Sequence, residues 1–385
     1  MKPTTVLITA ITVSTTLLIG GIMSGCTTHP QSQEHSQSRM ISSPQFNGKK
    51  FVNASGVSAS GDLGKMFSAL KDVVLNKSSK ATPKDALPVQ PLLAKNMVNQ
   101  TKSELSFARI GHSTLLIQLE GKFWLTDPVF SERVSPVQWI GPKRFHPAPI
   151  SIEDLPQIEG VIISHDHYDH LDHASVMKLQ EKTQHFLVPL GIGDRLRSWG
   201  IEEAKITEFD WWDTMTIDNV EIVATPAQHF SGRGLLDGDQ TLWASWVIRS
   251  AQHSVYFSGD TGYFPGFKEI GERLGPFNYA FMECGAYNEL WRDIHMMPED
   301  TLQAFKDVQG EVLVPIHNGT FDLSTHAWFD PFIHIQELAS QSNIPLLTPV
   351  MGEVVMGNQQ FNLAKGWWEY MQLVQSTQTK QVFDH

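Results

Sequence analysis

The stretch His165-Asp166-His167-Tyr168-Asp169-His170 places four potential metal ligands within six residues. It directly follows the apolar run 160–164, which predicts a buried strand. Because side chains two residues apart at a strand end lie on one side, His165 and His167 can bind one ion. Asp169 and His170 follow in a turn and can face a second ion. Imidazole and carboxylate groups are typical zinc ligands, so we predict a metal site here rather than a solvated polar loop.

Three later residues fit the rest of such a site. His229, Asp260 and His317 each follow an apolar strand-like run and precede a polar or glycine-containing turn. Alone, a histidine or aspartate at a strand end is more often a capping or turn residue. Together with the first cluster, these residues give five histidines and two carboxylates. That set is sufficient for two metal ions that share one carboxylate.

The order of predicted elements indicates a mixed α+β fold. Strands first follow one another from residue 104 onwards and then alternate with helices, twice, which predicts two sheets between layers of helices. The predicted strands cover 105–109, 113–119, 122–126, 160–164, 186–188, 220–224, 243–249, 254–258, 312–316 and 353–356. The predicted helices cover 173–182, 192–199 and 298–309.

Composition excludes several classes of protein. Hydrophobic residues make up 41% and charged residues 18% of the 385 residues, which excludes a mainly disordered chain and disfavours a long coiled coil. The formal net charge of −12 disfavours nonspecific binding to nucleic acid. Two cysteines are too few for a disulfide-rich scaffold or for a Cys₄ or Cys₂His₂ zinc finger.

The N-terminus resembles a bacterial lipoprotein signal. Lys2 precedes a threonine-diluted apolar run over 6–23, which ends in Ser24-Gly25-Cys26. The resemblance implies that residues 1–25 are a signal peptide and that Cys26 carries lipid. Thr27 at the next position favours the outer membrane, facing the periplasm. A plain secretory signal or an uncleaved anchor is the alternative interpretation.

The rest of the chain is predicted to have four parts. Residues 26–50 are rich in Gln, Ser and His and lack apolar periodicity, which predicts a flexible tether. Residues 51–100 form an N-terminal extension, in which apolar positions 63, 66, 67, 70 and 74 predict one amphipathic helix. Residues 101–365 form the main domain with all seven candidate ligands, and 366–385 form a C-terminal tail.

The order His-x-His-x-Asp-His, followed by single His, Asp and His residues at strand ends, resembles the metallo-β-lactamase superfamily. The resemblance implies a four-layer αββα sandwich. Flanking motifs resemble one branch, the N-acyl-phosphatidylethanolamine-hydrolysing phospholipases D, from about Phe107 to Val355. These motifs are Leu125-Thr126-Asp127-Pro128, Gly141-Pro142-Lys143-Arg144-Phe145, Asp210-Trp211-Trp212, Gly259-Asp260-Thr261-Gly262-Tyr263, Gly285-Ala286-Tyr287 and Ile316-His317-Asn318-Gly319-Thr320-Phe321.

The resemblance implies two Zn²⁺ ions per chain and a hydroxide between them as the nucleophile. The implied ligands are His165, His167 and His229 for one ion, Asp169, His170 and His317 for the other, and Asp260 as the bridge. Asp169 and His295 are the predicted catalytic residues, and His295 orients substrate or protonates the leaving alkoxide unless it is only a helix cap. Asp127 is expected to accept a hydrogen bond from a ligand histidine, and His112 matches the family as well.

We therefore expect a hydrolase that cleaves a phosphodiester in a phospholipid and is held on the membrane through Cys26. A lactone or other ester hydrolase of the same fold is the second enzyme hypothesis. A lipid-anchored metal-binding envelope protein without turnover is the non-enzyme hypothesis. Expected partners are a phospholipid or small ester and the membrane, with no nucleic acid and with a homodimer left open. Lys143, Arg144 and Arg233 are candidate contacts for an anionic headgroup, although basic residues in loops are usually just solvated.

Overall fold

The computed structural model describes residues 30–58, 64, 68, 71–73, 75–98, 105–234, 236–357, 366–369 and 371. The predicted signal peptide, Cys26 and the apolar positions of the predicted helix over 63–74 lie outside the described residues. Within the described part of the chain, no helix is both long enough and apolar enough to cross a membrane.

The described residues form thirteen strands. They are β1 (Ser106–Gly111), β2 (Thr114–Leu119), β3 (Lys122–Thr126), β4 (Ile158–Ile162), β5 (Thr183–Pro189), β6 (Ile206–Phe209), β7 (Thr214–Ile217), β8 (Val220–Thr225), β9 (Ser245–Arg249), β10 (Ser254–Phe257), β11 (Phe277–Glu283), β12 (Gly310–Ile316) and β13 (Val354–Met356). The helices are α1 (Pro30–Ser42), α2 (Lys95–Val98), α3 (His173–Leu179), α4 (Ile192–Ser198), α5 (Gly266–Leu274), α6 (Pro298–Asp307) and α7 (Asp330–Gln341). Two 3₁₀ turns lie at Glu203–Lys205 and Glu289–Trp291.

The strands form two mixed sheets. The first has the order β13-β1-β2-β3-β4-β5-β6, and the second has the order β12-β11-β10-β9-β8-β7. In the first sheet, β13, β1, β2 and β3 pair antiparallel, whereas β3 to β6 pair parallel. In the second sheet, β7 to β10 pair antiparallel, whereas β10, β11 and β12 pair parallel. Each sheet therefore joins a hairpin-connected half to a half that needs helical crossovers.

Alternating side chains on the strands pack into three apolar layers, one between the sheets and one on the outer face of each sheet. On β2, Leu115 and Ile117 point into the core between the sheets, whereas Leu116 packs on the opposite face. On β11, Tyr279 and Phe281 enter the same central core. The outer faces are covered by helices, α3 and α4 on the first sheet and α5, α6 and α7 on the second. This arrangement confirms the predicted four-layer αββα sandwich.

The N-terminal segment corrects one prediction. Residues 26–50 were expected to form a flexible tether, but residues 30–42 are helical and the segment after them packs on the domain. Phe51 is fully buried in the central core and meets Phe46 edge-to-face at 5.2 Å between ring centroids. The Arg39 guanidinium donates to the Glu208 carbonyl at 2.6 Å. A few anchoring side chains hold this polar segment in place, and periodicity does not detect such isolated anchors.

Candidate metal centre

Four strand ends deliver the predicted ligands to one place. His165, His167, Asp169 and His170 lie in the loop after β4, while His229, Asp260 and His317 follow β8, β10 and β12. All seven side chains come together as two groups of three ligands with Asp260 between them, although they are spread over 153 positions of the chain. The structure therefore brings together every predicted metal ligand.

The first group contains three histidines. His165 Nε2 lies 2.8 Å from His167 Nδ1, and His229 Nε2 lies 3.4 Å from the same His167 atom. Burial lowers the pKa of His165 and of His229 well below the usual histidine value, and neighbouring histidines lower it further. These imidazoles are therefore neutral near pH 7, which is the form that binds a metal ion.

The second group combines histidines with a carboxylate. Asp169 Oδ2 lies 3.4 Å from His170 Nε2 and 3.3 Å from His317 Nε2. His112 also contacts this oxygen at 3.0 Å through its Nε2, which must carry the proton because a carboxylate only accepts. Burial lowers the pKa of His112 to about 3, so this side chain is a neutral donor that orients Asp169.

Asp260 lies between the two groups. Its Oδ2 atom is 3.1 Å from His170 Nε2, 3.0 Å from His317 Nε2, and 3.9 Å from Nε2 of both His165 and His229. Burial would raise the pKa of Asp260, but the imidazoles of His170 and His317 hold it well below its usual value. Burial would lower the pKa of His317, but the neighbouring carboxylates of Asp260 and Asp169 outweigh burial and raise it to about 10.

The residues fit a divalent metal centre. Among the described residues, His170 Nε2 and Asp260 Oδ1 are buried without a hydrogen-bond partner, although buried polar atoms are normally paired. A metal ion would satisfy these atoms and would replace the close contacts between imidazole nitrogens with coordination bonds. Five imidazoles and two carboxylates are the donor set expected for zinc and similar ions.

A second layer of hydrogen bonds fixes the ligands. His170 Nδ1–H donates to Asp127 Oδ2 at 2.6 Å, which is the hydrogen bond predicted for Asp127. The Ser164 backbone N–H and hydroxyl donate to the same carboxylate at 2.7 and 2.6 Å. Gly259 is required beside this network because an added Cβ would lie 2.5 Å from the Ser164 Cβ. Such contacts set the tautomer and direction of a ligand histidine.

Sequence reasoning missed two residues at the site. Glu283, at the end of β11, is fully buried and contacts His295 Nδ1 through Oε1. Asn53 bonds both backbone polar groups of His229. Its Oδ1 accepts from the His229 N–H at 3.0 Å, and its Nδ2 donates to the His229 carbonyl at 2.8 Å. Glu283 had one usable signal, a carboxylate at a strand end, whereas nothing in the local sequence singles out Asn53.

Access to the centre is narrow. Three side chains of the site, His167, Asp169 and His295, are partly exposed, with Asp169 and His295 at 17% and 15%. A separate small cavity touches His317 and is also lined by Phe145, Phe321 and Trp328. A substrate therefore reaches the centre past His167, Asp169 and His295.

Two of the three candidate headgroup contacts have structural roles, whereas the third, Lys143, is exposed and pairs with Glu132 at 2.7 Å. Arg144 donates to the Val129 carbonyl at 2.8 Å, and Arg233 donates to the carbonyls of Asp166 and Leu171 at 2.8 and 2.7 Å. Both guanidiniums also lie against aromatic rings, Arg233 at 3.8 Å from the centroid of Tyr168. They hold the loops around the centre, so the expected contact with a headgroup has little support from their geometry.

Comparison with known proteins agrees with this geometry. A family profile described as "Beta-lactamase superfamily domain" matches residues 124–318. The chain is 32% identical to N-acyl-phosphatidylethanolamine-hydrolyzing phospholipase D 1 of Caenorhabditis elegans, over 81% of this chain and 93% of that protein. The chain belongs to the metallo-β-lactamase superfamily. Within this superfamily it falls in the branch with these phospholipase D relatives, and it has the fold of a metal-dependent hydrolase.

Further relatives extend the comparison. An uncharacterized protein of Mycobacterium tuberculosis is 42% identical over 74% of this chain and 76% of its own length. The metallo hydrolase Igni18 of Ignicoccus hospitalis superposes with a TM-score of 0.51 at 23% identity, over 67% of this chain and 100% of its own, which shows the shared fold. Outer membrane protein RomA of Klebsiella pneumoniae is 47% identical over 102 residues, or 26% of this chain and 76% of RomA.

Proposed function

We propose that this superfamily member is a two-zinc phosphodiesterase that hydrolyses a phospholipid such as N-acyl-phosphatidylethanolamine. The observation that carries the proposal is the position of Asp260 Oδ2, within 3.0–3.9 Å of four histidines from both ligand groups. A carboxylate in this position suits a pair of ions rather than one. The motifs shared with the phospholipase D relatives, and the 32% identity to the C. elegans enzyme, favour a phospholipid over a β-lactam.

The ions would be held by the seven ligands described above, and when bound they would lower the pKa of a water and neutralise charge on the phosphoryl oxygens. The chain's own residues supply the remaining parts. Asp127 and His112 fix ligands from behind, through hydrogen bonds to His170 and Asp169. His295, beside the opening, is placed to orient the substrate or to protonate the leaving alkoxide.

Two independent features support a location on a membrane. The sequence Ser24-Gly25-Cys26 after an apolar run resembles a lipoprotein signal, and the RomA relative is named as an outer membrane protein. We propose that the enzyme is anchored through Cys26 to the bacterial cell envelope and acts on lipids there.

Purified protein reconstituted with zinc tests the proposal. Elemental analysis is expected to give two zinc ions per chain, and N-acyl-phosphatidylethanolamine is expected to yield phosphatidic acid and the N-acylethanolamine. A lactone and a β-lactam in parallel separate the other hydrolase hypotheses. If the lactone is hydrolysed faster than the phospholipid, the protein is a lactone or other ester hydrolase, as in the second enzyme hypothesis. Binding of zinc without turnover of any of the three substrates would favour the metal-binding envelope protein.

A further inference from the structure

The buried carboxylate of Glu283 has an arrangement that metal binding does not explain. The residue is fully buried, and a buried charge is tolerated only when it is paired. Both of its oxygens have partners, since Oε2 accepts from the Thr261 N–H at 2.6 Å and Oε1 contacts His295 Nδ1. Thr261 follows Asp260 directly, so Glu283 is fixed to the backbone of the central loop of the site.

This contact determines which nitrogen of His295 faces the opening. A carboxylate only accepts, so His295 Nδ1 carries a proton and donates it to Glu283. The remaining nitrogen, Nε2, is the one free to meet a substrate. The His295 ring lies 5.1 Å from the His229 ring and 5.4 Å from the His317 ring, between centroids, and therefore borders both ligand groups. It is partly exposed, whereas Glu283 behind it is not.

We propose that Glu283 and His295 act as a dyad, in which His295 is the general acid for the leaving alkoxide and Glu283 is its positioning residue. The inference rests on the proposed phosphodiesterase function and deepens it. Glu283 keeps the imidazole in one orientation, and its negative charge stabilises the imidazolium that donates the proton.

The step is balanced without any further reagent. Water adds its oxygen to phosphorus, and the bond between phosphorus and the leaving oxygen breaks with its electron pair on that oxygen. The proton from His295 Nε2 moves to the same oxygen and gives the free alcohol. The neutral imidazole retains its Nδ1 proton, which stays hydrogen-bonded to Glu283. The proton released by the attacking water then restores the imidazolium.

Direct metal binding by Glu283 is the competing explanation. Glu283, His295, Asp260 and His317 offer ligand atoms within 4.8 Å of one another, so proximity alone permits it. However, Oε2 is occupied by a backbone N–H and Oε1 by His295 Nδ1. A ligand role would have to use the second lone pair of an oxygen that already accepts one of these hydrogen bonds.

The dependence of the rate on the leaving group distinguishes the Glu283–His295 dyad from metal binding by Glu283. Glu283→Gln and His295→Ala are compared with wild type on two phosphodiesters that share the phosphatidyl group, with an alkyl alcohol or p-nitrophenol as the leaving group. A poor leaving group needs the proton and a good one does not. We expect about a hundredfold loss of kcat on the alkyl ester and less than about threefold on the p-nitrophenyl ester. The exposed Glu337→Gln on α7 is the matched control and should change neither rate.

Two further measurements do not depend on turnover. Zinc content should be unchanged in both variants, and a downfield Nδ1 proton of His295 in the NMR spectrum of the zinc-loaded protein should vanish in Glu283→Gln. The double variant should lose no more than either single variant, because the two residues act as one unit.

Other outcomes overturn the inference. Equal losses on both esters, or loss of zinc from Glu283→Gln, would make Glu283 a metal ligand or a structural residue. If Glu283→Gln does not fold, the leaving-group pattern of His295→Ala and the NMR signal of wild type still decide. If zinc-loaded wild type cleaves neither ester, the proposed function itself fails. If wild type cleaves both esters but the variants lose the same rate on each, only the dyad fails.

Discussion

Asp260 Oδ2 makes the closest charged contacts with two ligand histidines, since it lies 3.0 Å from His317 Nε2 and 3.1 Å from His170 Nε2. Asp260→Asn keeps the size of the side chain but removes the charge and one of two equivalent oxygens. We expect zinc content to fall by about one ion per chain and hydrolysis to fall about a thousandfold or more. Elemental analysis and steady-state kinetics on the phospholipid substrate measure both.

The control for this variant is Asp218→Asn, a change at an exposed turn aspartate that pairs with Lys122 at 3.2 Å. It should leave zinc content and rate unchanged. Circular dichroism checks that both variants keep the fold. Wild-type zinc content and activity in Asp260→Asn would mean that this aspartate is a turn residue and that no shared-carboxylate centre exists.

His146 gives a pH prediction away from the metal ligands. Burial and then the neighbouring Arg144 lower the pKa of His146 to about 3, against about 6.5 in the unfolded chain. The unfolded state therefore binds the extra proton between these values, and stability is lost as the pH falls below about 6.5. From pH 7 to 5 this group should remove about 2 kcal/mol from the free energy of unfolding.

Urea unfolding of wild type and His146→Asn at the two pH values isolates this effect, because all other groups titrate in both proteins. The variant should show the smaller loss between pH 7 and 5. Since His146 donates Nδ1–H to the Pro147 carbonyl and contacts Thr320, an asparagine keeps some of the polar contacts. Equal losses in the two proteins would show that His146 is protonated in the folded state.

At the scale of an element, the segment 51–58 fixes the loop after β8, which carries His229, through hydrogen bonds. Asn53 bonds both the N–H and the carbonyl of His229, and it also accepts from Trp243 Nε1 at 3.0 Å. Asn53→Ala removes all three contacts, so His229 loses its fixed backbone. We expect about a tenfold weaker zinc affinity, within the range known for residues that orient metal ligands.

Competition with a chelator measures the zinc affinity without any use of activity. Asn47→Ala is the matched control, because Asn47 lies in the same N-terminal segment but only caps its own turn through the N–H groups of Lys49 and Lys50. Unchanged affinity in Asn53→Ala would show that the β8 loop holds His229 without help from the N-terminal segment.

Some elements escaped prediction for identifiable reasons. α1 carries few apolar residues and is held by contacts such as that between Arg39 and Glu208, which are 169 positions apart. Strands β6 and β7 lie at sheet edges and are short, with weak alternation. By contrast, β2, β3 and β8 combine strong apolar content with clear turns and were predicted within one or two residues.

At the scale of the whole molecule, the remaining prediction concerns attachment to the envelope. The apolar run ending in Ser24-Gly25-Cys26 predicts cleavage before Cys26 and acylation of that residue. When the full chain is expressed in a bacterium, wild type should sediment with the membrane. Cys26→Ala should stay uncleaved at that bond and lack lipid, as mass spectrometry of the N-terminus would show. Normal processing of the alanine variant would exclude the lipoprotein interpretation.

The tryptophans illustrate how the assembled molecule settles what composition leaves open. Of the six at 211, 212, 243, 246, 367 and 368, four are buried and two are partly buried. Trp243 and Trp246 are buried in the central core, and Trp368 stacks on Phe332. The most exposed tryptophan is Trp139, at 78%, among the described residues. Most of the six therefore stabilise the fold rather than face a lipid.

The sequence alone determined the strand pattern and the cluster His165 to His170, because both are local, and the family resemblance supplied the distant ligands. Alternating apolar residues define a strand face within a few positions, and His165 to His170 lie together whatever the rest of the chain does. The tertiary structure decided which distant groups complete the site. Asn53 meets His229 across 176 positions, and Glu283 meets His295 only because β11 ends beside that loop. No local pattern records such contacts, since packing of the two sheets creates them.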